Sequence, residues 1–599
     1  MSSLQTTASD SLSDFTTDLR VLLLSGMALV IGCISACVAY ALIWLIAVIT
    51  NLSFFHRLSA APSTPQEAHL GLLVIAVPVI GALIIGFMAR YGSSKIRGHG
   101  IPEALEAILL GRSRIEPKVA VLKPISSAIS IGTGGPFGAE GPIIMTGGAF
   151  GSLFAQMFHL SAAERKTLLV AGAAGGMAAI FSTPVAAVLL AVELLLFEWK
   201  PRSFIPVAVA SVTASVLRIP LLGAGPIFPV TPHAPLSAEE LGIAVGLGMA
   251  AGLFSGLLTM AVYGLEDLFD KLPIHWMWWP AMGAVVVGIG GYLDPRVLGV
   301  GYNLIHAMLR GELLGAALLG LLVGKAIVWS VALGSGTSGG VLAPLLIMGG
   351  ALGAAASHWL PVGDPGLWAM VGMGAIMGGT MRAPLTGMVF MLELTHDLNA
   401  LPAVMIGSVA ALGVTVLMMR RSILTEKIAR RGHHVTQEYT IDLFNLLRVG
   451  DVMDKNPPMI PSSMSLVKFS ELIASGDKSI CRRQGTLLMD AEDQLAGIIT
   501  RGDVVRAMQN GGREKAITVL EAGKRDLIVA HSDELLNDAV AKLLKHDIGR
   551  LPVVSRSNPR QVVGYLGRTN VVEARSKHLD EETVRESFRP GYSQAEAGG

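Results

Sequence analysis

Glu140 is a carboxylate set among glycine, proline and apolar residues, in the run Gly132–Gly151, GTGGPFGAEGPIIMTGGAFG. An ionisable group in so apolar a stretch is costly to keep and marks a working site. Around it the segment reads Gly138-Ala139-Glu140-Gly141-Pro142, and two others share its character: Gly98-His99-Gly100-Ile101-Pro102 and Gly340-Val341-Leu342-Ala343-Pro344. Each sets glycines, and so unobstructed backbone N–H groups, just where an apolar helix starts. Helix N-termini carry unsatisfied donors and positive partial charge, so three of them converging would bind a small anion without a fixed cation. Partial charges hold an anion loosely enough to let it go again.

The elements that must position these segments are membrane elements. Of 599 residues 52% are hydrophobic and 15% charged, with 69 glycines, the balance of a multi-pass membrane protein. Apolar runs begin with Val21–Ile49, which reads as a retained span because no small-residue cleavage site follows a short core, and continue through His69–Met88, Leu168–Leu196 and others to Val341–Met419. Several are too short for a perpendicular span or are broken by Gly and Pro, so interrupted helices are expected. Gly132–Gly151 aligns without gaps on Gly334–Gly353, and the shift of about 200 residues also places Lys123 over Lys325, Pro184 over Pro384 and Glu193 over Glu393. Two related halves with matching breaks are a transporter-like pattern. Arg420, Arg421, Lys427, Arg430 and Arg431 close the last run and put that end in the cytoplasm.

The three motifs resemble those of the CLC chloride channel and transporter family, usually GSGIP, G(R/K)EGP and GxFxP, in the same order over roughly residues 20–432. That resemblance implies a polytopic α-helical domain of inverted repeats and broken helices in the cell (inner) membrane, a homodimer with one pore per subunit, and Glu140 as the gate. Ionised, Glu140 mimics and blocks the anion; protonated or displaced, it yields the site. By resemblance the anion-binding residues are His99, Gly100, Ile101, Pro102, Gly138, Gly141, Val341, Leu342 and Leu424. Three positions depart from the family pattern. His99 stands for the usual Ser, Leu342 for the usual Phe, and Leu424 for the usual Tyr, which removes two hydroxyl donors and leaves backbone amides and the His99 ring as ligands. Exchangers of the family typically relay protons through a carboxylate at the position of Leu194; without it the relay falls to Glu193, Glu198 or water, or there is none. Passive chloride conduction is therefore the expectation here, with Cl⁻/H⁺ antiport as the alternative. The paired Glu193 and Glu393 suggest a structural role in both halves.

Beyond about residue 433 the chain turns polar and α/β. Gln494–Met508, QLAGIITRGDVVRAM, and Gln561–Ala574, QVVGYLGRTNVVEA, match each other and resemble a tandem CBS pair. Thr500 and Asp503 hold positions that in nucleotide-binding modules of this kind face ribose and phosphate, and Gly567 and Asn570 are their counterparts; an adenine nucleotide or a dimerisation role are the two expectations. The organisation expected is a tail (1–20), a membrane domain (21–432, halves about 69–220 and 240–432), a linker (433–445), CBS modules (446–510 and 511–580) and a tail (581–599), with the CBS pair cytoplasmic. A net charge of +1 offers nothing to nucleic acid. Cys33, Cys37 and Cys481 have no metal or disulfide spacing, no Walker loop is present, and no catalytic or metal-ligand cluster argues for an enzyme. A nucleotide-sensing membrane receptor is the rival from another class.

Overall fold

A computed structural model describes residues 19–109, 111, 113–313, 315–430, 447–477, 480, 484–510 and 516–583. The expected linker 433–445, Arg431, Cys481 and nearly all of both tails lie outside these residues. The chain divides into two units, Met1–Glu438 and Tyr439–Gly599.

In the first unit the helices are α1 (Arg20–Phe55), α2 (Leu73–Tyr91), α3 (Ile101–Leu109), α4 (Pro117–Gly132), α5 (Glu140–Gln156), α6 (Ala162–Phe181), α7 (Pro184–Leu190, extended by a π-helical turn to Leu196) and α8 (Pro201–Leu222). After a linker come α9 (Ala238–Asp270), α10 (Trp279–Leu293), α11 (Tyr302–Leu309), α12 (Ala316–Gly334), α13 (Leu342–Ala356), α14 (Pro365–Met381), α15 (Pro384–Thr395), α16 (Leu401–Met418) and α17 (Ile423–Arg430). Helices α1–α8 correspond in order to α9–α16. The packing repeats too: α1 lies on α6 and α8 as α9 lies on α14 and α16. Seven segments among the described residues are long and apolar enough to cross a bilayer, while Pro184–Leu196 and Pro384–Thr395 are apolar but short.

The run Leu168–Leu196 is not one helix. It breaks at Ser182, whose φ of 59° is left-handed, immediately before the helix-starting Pro184, and its mate breaks at Arg382 (φ 58°) before Pro384. Proline suits the first turn of a helix and not its interior, so the break falls where the sequence can bear it. Close packing explains part of the glycine content: a methyl on Gly147 would strike the Gly172 carbonyl, and one on Gly349 the Gly372 carbonyl, so α5/α6 and α13/α14 approach backbone to backbone.

Irregular backbone inside the unit is held by buried lysines. Lys123 is fully buried and donates to the carbonyls of Ile96 (2.9 Å) and Gly98 (2.7 Å) and to Ser338 Oγ (3.2 Å). Lys325, also fully buried, donates to Val297 and Gly299 at 2.9 Å each. Each ammonium thus ties down the loop leading into the short helix of its own half, α3 or α11, by supplying donors to its buried carbonyls.

In the second unit, β1 (Met459–Pro461), β2 (Gly485–Met489) and β3 (Leu495–Thr500) form one sheet and β4 (Ala530–His531), β5 (Arg550–Val554) and β6 (Val562–Gly567) another, each with a parallel pair followed by an antiparallel one. The modules exchange their leading helices. Val449, from helix Val449–Val452, is buried with Ala530, Leu536 and Leu551, while Val519, from helix Val519–Ala522, is buried with Ile460 and Leu466. The two modules therefore share cores across their boundary in sequence.

Lys325→Met keeps the bulk and removes the donor. It should lower stability by about 2 kcal/mol or more, since buried carbonyls lose a charged partner, read as a lower melting temperature of the detergent-solubilised protein.

Candidate functional site

The segments before α3, α5 and α13 meet at one point. Gly138 and Gly340 exchange backbone hydrogen bonds, N–H to carbonyl, at 3.2 and 2.9 Å, and Gly339 N–H donates to the Gly98 carbonyl at 3.4 Å. Gly100 requires its left-handed φ of 93°, and a methyl on it would lie 2.5 Å from the Gly141 carbonyl; one on Gly141 would strike the His99 carbonyl. Only glycine lets the three helix starts come this close.

Glu140 opens α5 and is fully buried. Its Oε1 accepts from the Tyr302 hydroxyl at 3.3 Å, and its Oε2 has no hydrogen-bond partner. A methyl built on Gly340 would lie 2.7 Å from that Oε2, so the carboxylate sits at the mouth of α13, where the first-turn amides of Leu342 and Ala343 have no partner within their helix. A carboxylate oxygen occupies the place an anion would take.

Two expected donors are already committed. The Gly100 N–H donates to Glu103 Oε2 at 2.9 Å, and the Gly138 N–H is spent on Gly340, so neither amide is available to an anion. Glu103 caps its own helix start and takes up that amide. Ile101, Pro102, Val341, Leu342 and Leu424 are fully buried around the site. Leu424 brings no hydroxyl; beside it the Tyr263 hydroxyl from α9 donates to the Ile423 carbonyl at 2.6 Å.

His99 is 3% exposed, with its Nδ1 buried and without a partner. It lines a cavity of about 710 Å³ together with Arg97, Glu103, Tyr263, Glu266 and Lys427. Lys427 on α17 pairs with Glu103 at 2.6 Å. The cavity therefore leads from the basic end of the unit to the imidazole at the site.

The relay candidates are placed otherwise. Glu193 Oε2 accepts from Thr386 N–H (2.8 Å) and Thr386 Oγ1 (2.5 Å), and its Oε1 from Leu385 N–H (3.2 Å). Glu393 accepts from Val185 (3.0 Å) and Ala186 (2.8 Å). Each glutamate near the end of one short helix caps the start of the other, which requires α7 and α15 to lie antiparallel, side by side. Leu194 is fully buried. Glu198 accepts from Ser203 Oγ at 2.8 Å and pairs with Lys200 at 3.3 Å and Lys166 at 3.7 Å. Burial opposes its ionisation, but Ser203 and the two lysines outweigh it and hold the carboxyl below its usual range. A group so held is a poor proton carrier near neutrality.

In the second unit Thr500 and Asp503 form a capping box on helix Arg501–Gln509: Thr500 N–H and Oγ1 donate to Asp503 Oδ2 at 2.9 and 2.7 Å, and Arg506 pairs with Oδ1. Burial opposes ionisation of Asp503, and these donors override it, keeping the carboxyl below its usual range. Both oxygens that would accept ribose hydroxyls are occupied. Asn570 Oδ1 accepts from Gly567 N–H at 3.0 Å.

Sequence reading missed Tyr302. The signal was present in the repeat: Gly299-Val300-Gly301-Tyr302 stands to the second half as Gly98-His99-Gly100-Ile101 stands to the first, with left-handed φ at Gly98 (83°), Gly100 (93°), Gly299 (66°) and Gly301 (80°).

Paired halves of broken helices with a carboxylate at converging helix starts have the pattern of a membrane transport protein built from repeats. The family is shown by comparison: residues 81–416 match the voltage gated chloride channel model and residues 449–510 and 520–577 the CBS domain model, and the chain belongs to the voltage gated chloride channel (CLC) family. It is 31% identical over 360 residues to the H(+)/Cl(-) exchange transporter ClcA of Klebsiella pneumoniae (strain 342), covering 58% of this chain and 75% of the relative. It is 28% identical to a putative chloride channel protein ClcB-like of Ralstonia nicotianae, over 54% of this chain and 77% of the relative. The crystal structure of a slow cyanobacterial Cl⁻/H⁺ antiporter shares the fold, at TM-score 0.60 and 22% identity over 69% of this chain and 99% of that one.

Glu193→Leu should lower the melting temperature, at a cost of about 1–3 kcal/mol for amides left unpaired, and leave the ratio of protons to anions moved unchanged. A changed ratio, from paired pH-electrode and anion-flux recordings, would return Glu193 to the relay.

Proposed function

We propose that the protein exchanges chloride for protons across the membrane, with Glu140 serving both as the anion's competitor and as the proton's carrier. The observation that carries this is the Glu140 carboxylate seated at the mouth of α13 with one oxygen unpartnered. Ionised, it fills the site; protonated, it has less reason to stay among amide donors, and an anion takes its place. The passive conduction suggested by Leu194 gives way here to exchange, because relatives called H(+)/Cl(-) exchange transporters support the antiport reading. With Glu193 capping α15 and Glu198 held ionised, water in the cavity lined by His99 is the cytosolic approach this reading assigns to both anion and proton.

The same reading places the end of α17 and the CBS pair in the cytoplasm, on the strength of Arg420, Arg421, Lys427 and Arg430. Exposed apolar side chains such as Val212 and Val216 on α8 and Val409 and Val416 on α16 suit cover by lipid or by the second copy of a homodimer. For the CBS pair we infer a structural role, since Asp503 is spent on its own helix. Millimolar AMP, ADP or ATP should then leave the melting temperature of the full chain unmoved; a concentration-dependent rise lost in Asp503→Ala would reverse that inference.

Proteoliposomes test the main reading. A chloride gradient should drive uphill proton movement at a fixed ratio, and Glu140→Ala should pass anions with no proton coupling and no pH dependence. A reversal potential at the chloride equilibrium value in the unmodified protein would restore the channel reading.

A further inference from the structure

We propose that Tyr302 is the outer latch of the Glu140 gate, and that the linker between the two halves, Gly223–Ser237, pinned through His233, positions it. The proposal rests on the reading of Glu140 as a carboxylate that must leave its site. Asp397 and His233 lie at the outer face on that reading, because α16 begins just after Asp397 and ends at the basic, cytoplasmic cluster.

Tyr302 donates to Glu140 Oε1, and a hydrogen bond to a carboxylate favours its ionised, seated form. The Tyr302 ring cannot swing away freely. It packs edge to face between Phe181, at 6.3 Å between ring centres, and Phe228, at 5.8 Å. Phe228 belongs to neither half; it is a fully buried side chain of the linker, whose N–H donates to the Leu394 carbonyl at 2.9 Å. Five residues on, His233 fastens the linker: Nε2 lies 3.0 Å from Asp364 Oδ2, Nδ1 bonds Asp397, and Asn399 Nδ2 donates to the His233 carbonyl at 2.6 Å. Asp364 is itself the cap of α14, through Leu367 N–H at 3.0 Å. One imidazole thus joins the linker to the start of α14 and to the turn before α16.

An imidazole with a carboxylate on each nitrogen must donate from both, which makes it a cation. The hydrogen bond to Asp364, with that to Asp397, outweighs burial and pushes His233 up to about 9. Since its value is raised by the fold, the clamp is fully present below the ordinary histidine range and is lost as pH rises through about 9. The charged groups facing His233 are Asp364 and Asp397; Phe228 also meets His306 of α11 at 5.0 Å, with Arg310 and Glu312 near that ring.

The experiment is anion flux from proteoliposomes as external pH is varied, for the unmodified protein, Tyr302→Phe, His233→Gln, His233→Lys and the Tyr302→Phe/His233→Gln pair. Tyr302→Phe keeps the ring and should move the midpoint of acid activation up by about one pH unit, the worth of one hydrogen bond to a charged group. His233→Gln should move it the same way, the pair no further than Tyr302→Phe alone, and His233→Lys, which keeps a cation, should bring it back. As external pH passes about 9 the clamp is lost in the unmodified protein too, so its flux should converge on that of His233→Gln, the two differing only below that pH. A midpoint unmoved by Tyr302→Phe, additive effects in the pair, or reduced flux at an unchanged midpoint in His233→Gln would overturn the proposal. A Glu140→Ala variant with the full pH dependence of the unmodified protein would instead overturn the gate reading, and the latch with it.

Discussion

A carboxylate placed in the middle of a membrane unit must be met by protein, because neither lipid nor bulk water can stabilise it there. Glu140 is met by the start of α13 and by one tyrosine hydroxyl. Nearly everything irregular in the unit follows from that. Helices α3, α5 and α13 have to begin at depth, so the loops before them run through the interior. Those loops expose carbonyls, and Lys123 and Lys325 are buried to receive them. Glycine is obligatory at the meeting point, since Gly100 and Gly141 touch backbone to backbone.

The two halves are near copies, and the chemistry lies where the copy fails. Glu140 and Leu342 are mates in the aligned repeat; so are Ile101 and Tyr302, and His99 and Val300. Structural devices are kept in both halves: the lysines, the left-handed breaks at Ser182 and Arg382, and the exchanged caps of Glu193 and Glu393. A carboxylate present once and a hydroxyl present once, brought to 3.3 Å of each other, make one face of the site unlike the other. A fully symmetric site would present the same groups to both sides of the membrane, and this difference gives the site two distinct faces.

Much of this was legible in the sequence. Glu140 stood out because its neighbours cannot solvate it, and the repeat was visible because glycine and proline mark breaks that the backbone itself demands. What stayed hidden were pairings across the chain. That Gly100 N–H goes to Glu103, and Gly138 N–H to Gly340, depends on which groups meet after folding, and a motif that shows glycine shows only that an amide is accessible. Glu193 was half legible: its mate Glu393 pointed to a structural role in both halves, but what it caps, the start of α15, is seen only once the two short helices lie together. Tyr302 was marked only by its place in the repeat, after Gly299-Val300-Gly301; its role comes from Glu140, more than a hundred residues away.

The donors at the site bear on how the proposed exchange would work. A lysine or arginine in contact with Glu140 would hold the ionised carboxylate too firmly for an anion to displace it, and would oppose its protonation. Amide dipoles treat a carboxylate oxygen and a halide alike, so the two can replace each other with little change in energy. The ammonium groups of Lys123 and Lys427 are turned to other work, Lys123 to carbonyls and Lys427 to Glu103. What then biases the balance is small and local, one hydrogen bond from Tyr302 and the unpartnered Nδ1 of His99 on the cavity side. A site poised by such small terms responds to a single proton, and that is the condition under which proton and anion movements can be tied together.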